Sequence, residues 1–427
     1  MGTTSKPSRV VVLGGGFAGL ALCQSLRDRR FEITLIDRQN HHLFQPLLYQ
    51  VATAGLSMPD IAQPLRSILS EHENVTTLMD EVRRIDLTAR RVECAGHSLE
   101  YDYLVIALGA QTGYFGHGEW GLHTVGLKSL EDAMDIRQRV LLAFERAEMS
   151  EDPAEIERLL TLVVVGGGPT GVEMAGSLAE LARRVLKRDF RRIDPSKAHV
   201  HLIEAGPRLL PTMPGDLPDY TAEQLGRLGV TVHLNCPVRE ITPDRVEAGP
   251  LTLRPGLVVW AAGVEASPVT RTLGGDIPLD RAGRIEVRAD LSLAGHPEVF
   301  AAGDIVSLVD RNGVKVPGVA PAASQMGRHI AKLIQHDTRF QAAAKRFATE
   351  IPRPAFAYWD KGSMATIGRS KAVAAAGPLR FTGLLAWLMW LFIHLLFLVG
   401  MRNRVSVFLQ WVWAYVTWER GARIITR

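Results

Sequence analysis

At 427 residues, 47% hydrophobic and 22% charged, the chain carries enough apolar material for two or three packed domains. A formal net charge of +4 is small for this length, and with no nucleic-acid module in the sequence it excludes a nucleic-acid binder. The three cysteines, Cys23, Cys94 and Cys236, are scattered, which excludes a redox dithiol and a zinc-site spacing and predicts buried free thiols in a reducing compartment.

Met1 to Ser8 is a short polar stretch without the apolar centre of a signal peptide, so the catalytic body is expected in the cytoplasm. Val10 to Leu13 then form an apolar, β-branched run that leads into Gly14-Gly15-Gly16-Phe17-Ala18-Gly19 and a helical pattern. In such a G-x-G-x-x-G turn the first glycine makes the bend and the second lets backbone approach a pyrophosphate. The third lets helix and strand pack closely, and the helix N-terminus holds the anion. Phe31 to Asp37 reads as the next strand. Asp37 lies 18 residues past Gly19, near the usual offset of a carboxylate that binds ribose hydroxyls, although a plain strand-end acid in solvent would look the same. Ser98 to Ala110 closes this unit with a buried strand and a small-residue end at Leu108-Gly109.

The pattern then repeats. Leu162 to Val165 lead into Gly166-Gly167-Gly168-Pro169-Thr170-Gly171, and His199 to Glu204 form the following strand. Glu204 lies 33 residues past Gly171, too far for the plain motif. The excess fits a lengthened helix and loop from Leu181 to Lys197, which carries Arg183, Arg184, Lys187, Arg188, Arg191 and Arg192. Gly256 to Val264, including Ala262 and Gly263, closes the second unit as Ser98 to Ala110 closes the first. Two such turns, each followed by an acid ending a later strand, predict an α/β protein that holds two dinucleotides in two Rossmann-like domains. Val299 to Ile305 reads as a return strand ending in Gly303-Asp304. An Asp there can accept hydrogen bonds from flavin ribityl hydroxyls, or the pair can be a simple turn. Between about 350 and 377 the pattern is strand-like, at Phe356 to Trp359 and Met364 to Gly368.

The last fifty residues change character. Phe381 to Met401 is uncharged and nearly all apolar, and as one helix would reach roughly 32 Å. Five of the eight tryptophans (Trp387, Trp390, Trp411, Trp413, Trp418) fall in this tail. Arginines flank both ends of the run, at Arg380 and at Arg402 and Arg404, and the next apolar stretch, Val405 to Trp418, is too short to cross a bilayer. These features favour two helices lying at a membrane surface with arginines against anionic lipid; a single span and a buried helix are the alternatives. The domain organisation is thus expected as residues 1–118 and 279–345 for the first dinucleotide domain, 119–278 for the second, and 346–427 for a C-terminal membrane-associated helical region.

With these residues in view, the chain resembles the type II NADH:quinone oxidoreductases from about Val10 onward. The resemblance is carried by Asn40 to Ala52 (NHHLFQPLLYQVA), Gly166 to Glu173, Phe300 to Asp304, Asp360 to Arg369 and the Trp-rich tail. It implies FAD in the first unit and NADH in the second. It also implies electron delivery to a membrane quinone (menaquinone or ubiquinone) without proton pumping, and a C-terminal region resting on the cytoplasmic face of the inner membrane, commonly in a homodimer. By this likeness Gly14, Gly16, Phe17, Ala18, Gly19, Asp37, Arg38, Pro46, Val82, Leu108, Gly109, Gly303, Asp304 and Ala320 serve FAD. Gly166, Gly168, Pro169, Thr170, Gly171, Glu204, Ala262 and Gly263 serve NADH. Glu204 is expected to favour NADH over NADPH, with Arg208 close enough in sequence to soften the preference.

Two residues are assigned to the reaction. Glu173 is expected to arrange the flavin–nicotinamide pair or to move protons; simple stabilisation by the helix N-terminus is the other reading. Gln325 is the candidate quinone contact, or a residue on an ordinary helix face. Many members of the family carry an Ala-Gln and then a Gln-Gln pair in this segment, where this chain has Pro321 and Met326 at two of the glutamine positions, which leaves the head-group contacts open. His41 and His42 read as part of the flavin loop and no metal is expected. Sulfide:quinone and disulfide reductases lack their cysteines here, a ferredoxin-type reductase would not need the tail, and a non-catalytic NADH-sensing membrane adaptor would not need Asp304.

Overall fold

The computed structural model describes residues 6–347 and 353–425. Its contacts divide into two units: Met1–His42, Gln63–Gln111 and Val264–Asp360 in one, Leu43–Ala62, Thr112–Gly263 and Lys361–Arg427 in the other.

The first unit is built on a six-stranded sheet, in the order Ser292–Leu293, His296–Ala301, Tyr103–Ile106, Ser8–Leu13, Phe31–Asp37, Val75–Met79. Ser8–Leu13 pairs in parallel with Phe31–Asp37 and with Tyr103–Ile106. Val10 to Leu13 are buried without alternation, as a strand covered on both faces requires. The helix Phe17–Ser25 packs against Ala320–Phe347, where a Cβ on Gly327 would stand 2.1 Å from the Ala18 carbonyl oxygen, so only glycine permits the crossing.

The second unit repeats the plan with four parallel strands, Val230–His233, His199–Ile203, Thr161–Val165 and Leu257–Trp260. The helix Pro169–Glu180 continues into a π turn over Leu181–Val185 before the basic insertion. The strand Ser363–Gly368 lies directly on that helix: a Cβ on Gly176 would be 1.9 Å from the Ile367 carbonyl oxygen. This strand belongs to a three-stranded antiparallel sheet with Lys371–Ala376 and Leu379–Thr382. The small side chains of Ala372, Ala374 and Ala386 let the helix Gly383–Phe397 settle on the sheet. The helix Met401–Thr417 is tied back by the buried Asp60, whose Oδ1 accepts hydrogen bonds from Ser406 Oγ and Gln410 Nε2, both at 2.9 Å.

Three features differ from the sequence reading. The run Phe381 to Met401 is not one helix: it begins in the strand Leu379–Thr382 and breaks before Gly400, whose φ of 87° ends helical geometry. Among the described residues no helix is long and apolar enough to cross a membrane. Phe356 to Trp359 form no strand, because their N–H groups go elsewhere: Phe356 donates to Ala289 O, Tyr358 to Asp310 Oδ2 and Trp359 to Gln325 Oε1. Leu43–Ala62 and the tail both group with the second unit, whereas the sequence placed the former within 1–118 and the latter apart. The helix Leu48–Ala52 packs on Leu130–Met149 and on Pro169–Glu180, which accounts for the first of these shifts.

Candidate active site

Each glycine turn follows its strand in the same way. Gly14 has a φ of +100°, and a Cβ there would lie 2.3 Å from the Ala107 carbonyl oxygen; a Cβ on Gly19 would lie 2.0 Å from that of Gly14. Gly16 faces open space, with nothing within 4 Å of an added Cβ, and no side chain caps the helix that Phe17 and Ala18 begin. Asp37 accepts the N–H of Gly15 at 2.6 Å and of Gln39 at 2.7 Å, with Arg38 exposed beside it. The buried His42 donates from Nδ1 to the Gly15 carbonyl at 2.9 Å, and burial holds it below the usual imidazole range, so it is a neutral brace for the turn. Val82 is buried, Leu108 is half-buried, and Gly109 (φ +66°) opens to space. Gly303, at φ +84°, carries Asp304, to whose carboxylate no described residue donates a hydrogen bond. Ala320 starts the helix Ala320–Phe347. An open glycine cradle, an uncapped helix N-terminus, a strand-end carboxylate and an unpartnered Asp together fit an ADP-bearing flavin. Of the residues assigned to FAD, Pro46 alone falls in the second unit.

The second turn repeats these features. Gly166 has a φ of +113°, a Cβ on Gly171 would lie 1.8 Å from the Gly166 carbonyl oxygen, and Gly168 faces open space. Pro169 and Thr170 are exposed at the start of a helix with no side-chain cap. Glu204 accepts the N–H of Gly167 and of Gly206, both at 2.6 Å. Ala262 and Gly263 lie half-buried beyond the strand Leu257–Trp260. Arg208 donates to backbone, to Pro211 O at 2.8 Å and Met213 O at 3.2 Å, and among the described residues makes no ion pair with Glu204.

A cavity of about 120 Å³ lies within the second unit, between the helix Pro169–Glu180, the strand Ser363–Gly368 and the two tail helices. Glu173 lines it. It is the fifth residue of its helix rather than a first-turn residue, and it is 9% exposed. Thr366 N–H donates to Glu173 Oε1 at 3.3 Å, but burial outweighs that bond and pushes the carboxyl up to about 8. Glu173 is therefore mostly protonated at neutral pH. Trp390 also lines the cavity; it is 1% exposed, and its indole N–H faces the Glu173 carboxyl and, like the Thr366 N–H, opposes the rise. Its ring is held by His394, stacked at 4.0 Å, and by Trp411 at 5.5 Å.

The far wall is ionic. Arg420 pairs with Glu180 at 3.3 Å and donates to Thr53 O at 2.9 Å, and Glu180 also accepts Arg369 N–H at 2.6 Å. Burial raises the Glu180 carboxyl and Arg420 opposes the rise. Tyr49, buried, accepts from Gln50 Nε2 at 2.9 Å, while Gln50 Oε1 accepts Trp411 Nε1–H at 2.7 Å.

Gln325 does not line this cavity and belongs to the first unit. Its amide binds the Trp359 backbone twice, donating from Nε2 and accepting at Oε1, both at 3.0 Å. The sequence reading singled out neither Glu180 nor Arg420, and took Trp390 for an interfacial residue. The signal for Glu180 was available: Glu173, Ser177 and Glu180 recur at helical spacing on a helix with seven apolar or small buried neighbours, which marks a polar stripe facing inward. No group of three or more metal-ligating side chains exists among the described residues.

Residues 8–327 match the family described as pyridine nucleotide-disulphide oxidoreductase, and residues 360–417 match the NDH2 C-terminal domain. The fold is shared with the structure of NDH2 from Plasmodium falciparum in complex with NADH, at a TM-score of 0.88 and 21% identity over 99% of this chain and 100% of that one. It is shared less closely with the sulfide:quinone oxidoreductase of Aquifex aeolicus, at a TM-score of 0.70 and 20% identity over 93% of this chain and 92% of that one. The type II NADH:quinone oxidoreductase NdhA of Mycobacterium tuberculosis is 43% identical over 98% of this chain and 89% of its own length. The enzyme Ndh of the same organism is 42% identical over 99% of this chain and 92% of its own. On that identity, spanning both glycine turns and the tail, the chain belongs to the type II NADH:quinone oxidoreductases.

Proposed function

We propose that the cavity around Glu173 is where this NADH:quinone oxidoreductase receives the quinone head group and supplies it with a proton. The observation that carries the assignment is a buried carboxyl, raised to about 8, in a cavity walled by the helices that bear the exposed apolar face.

The enzyme oxidises NADH and reduces quinone without pumping protons. The chemistry supplied by FAD when bound is acceptance of a hydride from NADH and onward passage of its two electrons to quinone. Gly14, Gly16 and Gly19, with Asp37 and Asp304, hold that cofactor. Gly166, Gly168, Gly171 and Glu204 hold NADH, and the Glu204 carboxylate disfavours the 2′-phosphate of NADPH. Overall, NADH and one proton convert quinone to quinol, so one proton beyond the hydride must come from the medium. Glu173, protonated at neutral pH, gives a proton to a quinone oxygen and regains one from water. Trp390 Nε1–H, which faces the Glu173 carboxyl, is the second donor available to the same head group. Gln325, with its amide on the Trp359 backbone and outside this cavity, is left as a residue that fixes Trp359.

Quinone is lipid-soluble, and the tail supplies the route. Leu385, Leu388 and Phe392 on the helix Gly383–Phe397, with Phe408, Leu409 and Trp413 on Met401–Thr417, are exposed apolar side chains. Such a face belongs in the interfacial region of a bilayer, here on its cytoplasmic side. Anaerobic stopped-flow tests the assignment. The yellow protein should bleach with NADH and recover its colour with menaquinone or ubiquinone analogues. In Glu173→Gln the bleaching should remain and the recovery should slow; recovery at the wild-type rate would remove Glu173 from the quinone step.

A further inference from the structure

The insertion between the helix Pro169–Glu180 and the strand His199–Ile203 takes no part in this chemistry. Residues 183–197 hold seven basic and two acidic side chains. Its apolar residues turn inward, with Leu181, Val185, Leu186 and Pro195 buried, while Arg184, Lys187, Arg188 and Arg192 are exposed. The Glu148 carboxylate fixes the loop by accepting the N–H groups of Arg191, Arg192 and Ile193 at 2.9–3.0 Å.

Two contacts join this basic loop to the end of the apolar tail. Asp189 pairs with Arg423, and the Arg184 guanidinium lies 5.6 Å from the centroid of the Trp418 ring. Trp418 follows the helix whose Val412, Trp413 and Val416 are exposed. The positive patch therefore begins where the apolar face ends. Some of its charge is already committed: Arg191 turns back on the carbonyls of Arg188 and Phe190, and Arg192 pairs with Glu151. Among the described residues, Lys187 and Arg188 make no ion pair.

We propose that the insertion Leu181 to Lys197 is a second membrane contact, in which Lys187 and Arg188 bind the phosphate head groups of an anionic bilayer beside the inserted apolar helices. The inference rests on the reading of the tail as a membrane-surface element. Exposed cations next to an apolar face complement an anionic bilayer on both counts, and each basic residue at the surface adds to the binding.

Vesicle flotation of the full-length holoenzyme, with phosphatidylcholine alone or with about 30% phosphatidylglycerol, separates the two claims. The wild type should bind both and prefer the anionic vesicles. Lys187→Gln/Arg188→Gln should bind phosphatidylcholine as the wild type does, but partition roughly 30-fold less onto the anionic vesicles. The difference should close in about 0.5 M salt. NADH:ferricyanide turnover should be unchanged, which shows that the variant is folded. The same charge change away from the tail, Arg239→Gln/Arg254→Gln, should have little effect. An undiminished anionic preference in Lys187→Gln/Arg188→Gln, or an equal loss in Arg239→Gln/Arg254→Gln, overturns the proposal and leaves the tail reading intact. Failure of the wild type to bind either vesicle overturns both.

Discussion

Glu173→Gln isolates the cost and the use of the buried carboxyl. In the folded protein this group is raised from an ordinary value of 4.5 to about 8, by burial first, with the Thr366 N–H and the Trp390 indole N–H opposing. A carboxyl with a raised folded pKa favours folding least where the unfolded chain is ionised. Its full contribution is present below pH 4.5 and is lost as pH rises towards 8. Linkage over that interval gives a penalty of about 1 kcal/mol at pH 5, about 3 kcal/mol at pH 7 and approaching 5 kcal/mol above pH 8. Glutamine keeps the shape and cannot ionise, so thermal melts of variant and wild-type holoenzyme should diverge in favour of the variant from pH 5 to pH 8 and stay parallel above. Catalysis should move the other way. Quinone turnover of the wild type should decline as pH passes 8, and the variant should lose that limb along with roughly 100-fold of its quinone rate. Ferricyanide takes electrons without protons, so its reduction by NADH should survive the change. A melting difference that does not vary with pH, or quinone and ferricyanide rates that fall together, would refute the assignment.

Trp390→Phe keeps a ring against His394 and removes the indole N–H that faces Glu173; the KM for quinone should rise about five- to tenfold with the KM for NADH unchanged, read by steady-state kinetics. Glu204→Gln should narrow the preference for NADH over NADPH by about tenfold, measured as the ratio of kcat/KM values, because it removes the carboxylate charge at the glycine turn that repels a 2′-phosphate. Gly14→Ala forces a Cβ to within 2.3 Å of the Ala107 carbonyl oxygen at a positive φ, and purified protein should carry little flavin by absorbance. Arg420→Met strands the buried Glu180 and should cost about 3–5 kcal/mol in stability, whereas Arg420→Met with Glu180→Leu should recover most of it in the same melt.

What could be read in the sequence was what is local. Both glycine turns, their strands and their acids lie within short stretches whose spacing reports backbone geometry directly. The cavity is assembled from positions as distant as Tyr49, Glu173, Thr366, Trp390 and Arg420, and no periodicity links them. The helix Gly383–Phe397 is apolar on all sides, so hydropathy cannot distinguish the face of Trp390, at 1% exposure, from that of Phe392, at 65%. One polar side chain could have done so. His394 is the only ionisable residue in that helix and lies four positions after Trp390, which marks the inward stripe. The break in the 381–401 run was equally hidden, since Gly400 ends a helix by conformation and hardly alters hydropathy.

The misfit of Glu204 with the usual spacing has a structural answer. Leu13 stands opposite Ile36 and Val165 opposite Ile203, so in each unit the residue after this pair is the turn glycine on one side and the acid on the other. The carboxylate then reaches the middle glycine's N–H at 2.6 Å in both units, whether 18 or 33 residues separate acid and motif. Strand register sets the site, and the intervening chain sets only what is displayed between the strands. A loop can therefore grow there without disturbing the nucleotide turn, which is why the second unit can hold a basic insertion and still keep the geometry of the first. Shortening residues 183–197 to the length of the first crossover should accordingly leave the KM for NADH near the wild-type value, whereas a one-residue slip between Thr161–Val165 and His199–Ile203 would turn Glu204 to the opposite face of the sheet and abolish binding.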